Sequence, residues 1–209
     1  FQVTADRIDK NDPDCVWRVR NIERNRSQVL EMWSPVRWVA ILVKLQMTAR
    51  TGQVRMADSG ESDTWRFVAG RFRPNTGTLA HKDKRKSWAQ GVFRRVVTLD
   101  GAATAVLYFN SNKTSDIGKD GVDKGQECPW PHLPGSSDDP YYWLEKLRNW
   151  QEKYNPINRR VRWAEIPVTR NLTAKSDLQN AGYPDTCFLF RTPEVPDEEH
   201  LPVSNNVVD

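Results

Sequence analysis

The chain has 209 residues, 38% hydrophobic and 28% charged, and 31 Lys and Arg against 27 Asp and Glu leave a net charge of +4. Nine Trp, seven Phe and five Tyr supply large apolar areas for a sizeable core, while the longest apolar run, 39–43, is far too short to cross a membrane. Three widely spaced Cys without a C-x-x-C and three scattered His argue against disulfide staples and a metal site; they favour a reducing, cytoplasmic setting, and the basic balance suits a polyanionic partner.

Residues 1–32 are polar and charged, with Asn-Asp-Pro from Asn11 and basic residues between Arg18 and Arg26. They read as an arm or linker that ends in a short helix over 22–32. The stretch around which the chain is organised, 33–63, comes next. Ser34 suits an N-cap and Pro35 the first helical turn, where its missing N–H costs nothing. From Val36 to Met47 the chain is apolar almost all round, broken only by Arg37, Lys44 and Gln46, which predicts a helix buried inside the domain. Arg50 follows at its end. A guanidinium cannot be neutralised, so one held beside a buried helix needs an anion. Thr51 can cap a second short helix that stops at Asp58-Ser59-Gly60.

Residues 63–73 alternate aromatic or apolar residues with Arg around Ala69-Gly70, a hairpin signal. Pro74-Asn75-Thr76-Gly77 ends it, and a basic loop follows with Lys82, Lys84, Arg85 and Lys86. The runs 91–99 and 103–109 read as strands joined at Asp100-Gly101, a strong turn dipeptide. Lys113 lies just beyond the second strand, and a short strand at 127–130 completes a three-stranded meander. Asp139 and Pro140 then open the clearest amphipathic helix, 139–154, with Trp143, Leu144, Leu147 and Trp150 on one stripe. After the apolar run 187–190, residues 192–209 are rich in Pro and acid.

The run R-T-G-Q-V-R-M-A-D-S-G-E-S-D-T-W from Arg50 resembles the first catalytic box of the tyrosine recombinase (phage integrase) family, in the divergent form carried by bacterial mobile elements. Ala49-Arg50 matches the end of that family's tripeptide, Gln53 stands where Glu is usual, Val54 replaces Leu, and Glu61 is the later acid. Lys113, in Y-F-N-S-N-K-T-S-D, matches the family's hairpin Lys in place and order. The resemblance implies an α+β fold, mainly helical with a small antiparallel three-stranded sheet. It divides the chain into an arm (1–32), the first part of a catalytic domain (33–191) and a loop (192–209) leading to a C-terminal part that is missing.

The same resemblance implies site-specific DNA recombination through a 3′-phosphotyrosine, without metal or cofactor. Double-stranded DNA would be the partner, with a homo-tetramer assembled on it. Arg50 would hold the scissile phosphate and Lys113 would protonate the departing 5′-oxygen. Arg55, Arg94, Arg95, Lys82, Lys84, Arg85 and Lys86 are candidates for contacts with the DNA backbone. The family's His-x-x-Arg and nucleophilic Tyr do not follow Arg191, so the chain by itself is expected to be inactive, a fragment of the parent enzyme. The alternatives are a non-catalytic DNA-binding or scaffolding module, and an unrelated β-rich domain that binds RNA through its Trp and Arg residues.

Overall fold

The computed structural model describes residues 1–22, 27–83, 85–101, 103–167, 182–195 and 197–208. Strands β1 (Gln2–Val3), β2 (Trp17–Ile22) and β3 (Ser27–Met32) form an antiparallel sheet in the order β1-β3-β2. The region expected to end in a helix is therefore a sheet. Its β2 alternates Trp17 and Val19 with Arg18 and Arg20, a period of two that suits a pleat and not a helix. Lys153 ties the segment down, bonding Asp9 at 2.6 Å and Asp12 at 2.7 Å.

Helices α1 (Val36–Met47) and α2 (Thr51–Arg55) follow, then the hairpin β4 (Trp65–Val68) and β5 (Arg71–Pro74). Ala69 and Gly70 both take positive φ, 48° and 80°, as a tight two-residue hairpin turn requires. Strands β6 (Phe93–Val97), β7 (Ala103–Phe109) and β8 (Gln126–Cys128) make the meander in the order β6-β7-β8. Helix α3 (Pro140–Tyr154) starts where Asp139 accepts a hydrogen bond from the Tyr141 N–H at 3.0 Å, and a short α4 (Asn205–Val208) closes the chain.

The mainly helical expectation is thus overturned: helix takes 25% and strand 24%, spread over four helices and three small antiparallel sheets among the described residues. The physical reason lies at the N-terminus and after α2. At the N-terminus, short alternating segments pair into an antiparallel sheet in place of the short helix expected over 22–32. After α2, the expected hairpin and meander add strands without adding helix.

The main core joins one face of α1 (Val36, Val39, Ala40, Val43, Met47) to Tyr141, Leu144 and Leu147 of α3. Phe93, Leu107 and Phe109 of the meander, with Leu189 and Phe190, fill the rest. The opposite face of α1 is not buried, contrary to the near all-round apolar pattern. Trp38 is 60% and Leu45 76% exposed. The second helix also starts differently, because Arg50, not Thr51, occupies its N-cap.

Between α2 and β4 the chain turns through Asp58–Asp63, a polar loop that lies inside. Asp58 bonds the N–H groups of Gly60 (2.7 Å) and Cys187 (2.9 Å), and its carbonyl takes the Val92 N–H (2.8 Å). Asp63 holds the N–H groups of Gln90 (2.8 Å) and Gly91 (2.9 Å). Gly91 is required by this closeness: a Cβ there would lie 2.5 Å from the Gly60 Cα. One loop therefore joins three distant parts of the sequence.

Candidate functional site

The positions around the α1–α2 junction differ in how their charges are used. Arg55 is buried and its Nε donates to the Val203 carbonyl at 2.5 Å. It belongs to the core and presents no surface for a phosphate. Arg191 is fully buried and forms a forked pair with Glu61, with Nη1 and Nη2 at 2.8 and 3.3 Å from the carboxylate oxygens. Its remaining donors go to the carbonyls of Phe188 and Asn155. The Ser59 hydroxyl adds a 2.6 Å bond to Glu61. The anion of the sequence box is thus taken by Arg191, and not by Arg50.

Arg50 is exposed at the N-cap of α2 and has no carboxylate partner among the described residues. Its position is fixed through the backbone. The Arg50 N–H donates to Gln53 Oε1 at 3.1 Å, and the Gln53 and Val54 N–H groups donate back to the Arg50 carbonyl. Gln53, itself buried, serves here as a neutral capping side chain. A neutral amide suffices for that bond, so the absence of a Glu leaves the helix start intact.

Lys113 opens a 3-10 turn, Lys113–Asp116, beyond β7; its side chain, like Lys84, lies outside the described residues. The turn is pinned from below by buried Asp116. This carboxylate accepts from the Asn112 N–H, from the Gly125 N–H at 2.8 Å and from the Tyr183 hydroxyl at 2.6 Å. Burial and the adjacent Asp116 charge drive the Tyr183 hydroxyl far above its usual range, so it stays a proton donor to Asp116. Tyr183 stacks on Trp163, with ring centroids 3.8 Å apart, and Trp163 packs in one cluster with Met56 just past α2. A continuous chain of packed groups therefore runs from the end of α2 to the turn of Lys113.

Sequence reasoning missed Asp116 and Arg191. Asp116 carried no signal beyond one acid in a Gly- and Asp-rich loop. Arg191 carried one, as a charge set directly against the apolar run C-F-L-F, where only an internal partner makes it tolerable.

The other basic candidates divide by exposure. Arg94 lies over the Tyr108 ring at 3.4 Å and reaches Glu127 at 3.5 Å, so it is partly committed. Arg95, Lys82, Arg85 and Lys86 are exposed. No cluster of three or more His, Cys, Asp or Glu suited to a metal is found among the described residues.

Residues 1–164 match the model of a protein family described as "Putative integrase". The chain belongs to that family. No curated protein and no solved structure matches it. The integrase match includes both Arg50 and Lys113 and ends before the segment that supplies Arg191. Membership makes DNA the natural partner, and no helix among the described residues is long and apolar enough to cross a membrane.

Proposed function

We propose that this integrase chain supplies the phosphate-gripping part of a DNA strand-transfer site that works through a 3′-phosphotyrosine. The observation that carries this reading is the division of labour among the arginines. Glu61 is claimed by Arg191 and Arg55 is turned into the core, while Arg50 is held at a fixed backbone position with its guanidinium on the surface. A planar cation held in this way suits two non-bridging phosphate oxygens and the extra charge they gain at the transition state.

In the reaction, a Tyr hydroxyl loses its proton to water and attacks phosphorus, a P–O bond to Tyr forms and the bond to the 5′-oxygen breaks. Lys113 gives the departing oxygen its proton. None of the five Tyr of these 209 residues lies beyond Arg191, where the resemblance puts the nucleophile. Lys82, Arg85, Lys86 and Arg95 would add salt-sensitive contacts to the duplex backbone.

A nicked suicide substrate carrying the cognate site tests the reading, in the presence of a protein that carries the nucleophilic Tyr. A covalent protein–DNA adduct is expected, falling roughly a hundred- to a thousandfold in rate for Arg50→Ala. Full-rate cleavage by Arg50→Ala would reduce the box to a structural role.

A further inference from the structure

The strand-transfer reading gives no role to Trp65, Trp88 and Arg160, which with Arg95 form two aromatic–guanidinium pairs at the start of β4. The Thr64 N–H donates to the Trp88 carbonyl at 2.9 Å, and the Trp88 N–H donates to the Thr64 hydroxyl at 2.8 Å. These two bonds bring Trp88 next to the backbone of Trp65. Trp65 is 39% exposed, and the Arg95 guanidinium sits 5.4 Å from its ring centre. Trp88 is half-buried, with the guanidinium of the exposed Arg160 at 5.3 Å and the His81 ring at 6.0 Å. Neither the Trp88 indole N–H nor His81 Nε2 has a hydrogen-bond partner among the described residues. A cleft of about 250 Å³ opens beside them, walled by His81, Thr64 and Asn75. The loop that carries the exposed Lys82, Arg85 and Lys86 leads into Trp88.

We infer that this surface binds an unpaired stretch of DNA, its bases stacking on the Trp–Arg pairs and its phosphates following the basic loop. Two features select an unpaired strand over a duplex. Inside a helix the base faces are already stacked on one another, so indole rings and guanidinium planes find only edges and backbone. On a single strand every base offers a free face, and stacking tolerates any sequence. Arg has the further advantage over Lys that its plane can itself stack. The surface lies apart from Arg50 in the sequence and does not depend on the strand-transfer reading, although strand exchange would supply such unpaired ends.

Fluorescence anisotropy with three labelled probes of equal length tests this: a deoxythymidylate strand, the same strand with abasic sites, and a duplex. The deoxythymidylate strand should bind at least several-fold more tightly than the abasic one, which carries the same phosphates without bases. Trp88→Ala should weaken deoxythymidylate binding about tenfold while leaving the abasic strand unchanged. Arg160→Lys, an exposed change that keeps the charge and loses the plane, should weaken it in the same base-dependent way without any risk to folding. Equal affinity for the base-bearing and abasic strands would overturn the inference, as would an Arg160→Lys variant with unaltered binding. A uridylate strand of the same length separates the sources: tighter binding to it than to deoxythymidylate would overturn the assignment to DNA. Since Trp88 and Arg160 have no part in the strand-transfer reading, failure here and failure of the cleavage assay can be told apart.

Discussion

The loop 58–63 and the outer face of α1 have exchanged the places their compositions suggest. The loop reads Asp-Ser-Gly-Glu-Ser-Asp, yet its Asp58, Ser59, Glu61, Ser62 and Asp63 are all buried. The helix reads apolar almost throughout, yet Trp38 and Leu45 face water. The difference lies in what each can complete internally. The loop finds a backbone N–H, hydroxyl or guanidinium for its carboxylates, and a fully partnered polar group can be buried at modest cost. The helix has one core to face, and a cylinder cannot turn all its sides toward it. Burial here follows partners and geometry more closely than hydropathy.

The largest expected effect comes from breaking the loop's ion pair. Arg191→Ala leaves Glu61 buried beside a vacated guanidinium site, which should destabilise the fold by about 3–5 kcal/mol in equilibrium denaturation. Replacing both partners by apolar residues, Glu61→Leu with Arg191→Met, should recover much of that loss, because the uncompensated charge disappears. If the double variant proves as unstable as the single one, the backbone bonds of Arg191 matter more than its pairing with Glu61.

A smaller effect should appear on titration. Burial raises the carboxyl of Asp58, helped by the negative charge of Asp63, and burial raises Asp63 despite its two N–H donors. A raised acid binds its proton more tightly in the folded chain than in the unfolded one. Its contribution is therefore fully present below the ordinary carboxylate value of 3.8 and is lost as pH rises through the raised values. Unfolding free energy should decline from about pH 4 upward, and Asp63→Asn should flatten that decline. A slope unaltered by Asp63→Asn would assign the pH dependence to other groups.

The smallest effect belongs to the helix. Leu45→Gln, at a 76% exposed site, should change stability by no more than about 0.5 kcal/mol. A loss of 2 kcal/mol or so, as expected for a core leucine, would mean that this face is covered in solution.

Much of the local structure was legible in the sequence. Ala69-Gly70 and Asp100-Gly101 mark two hairpins because positive φ is needed there, and Asp139-Pro140 marks the start of α3 because both residues act within one turn. The β1-β3-β2 sheet was not read, since the alternation in β2 reads as a solvated basic stretch and β3, Ser27–Met32, reads as a short helix. Of the site, the box from Arg50 could be found from residue order alone. What could not be found was the identity of Glu61's partner, which lies 130 residues away and is brought close only by the completed fold.

The bonds of Asp58 also bear on the order of events during synthesis. Ala57, Asp58 and Ser59 exchange backbone and side-chain hydrogen bonds with Cys187 and Leu189. A nascent chain that has emerged only through α3 still lacks those partners, so its acidic loop remains hydrated and its core open. Local hairpins and helices can form early on the ribosome, but closure waits for the last strand-like segment to arrive. Pairings of such sequence separation are slow to form. The step that closes the Asp58–Asp63 loop is therefore expected near the end of folding, after all of the integrase-matched sequence, 1–164, has been made.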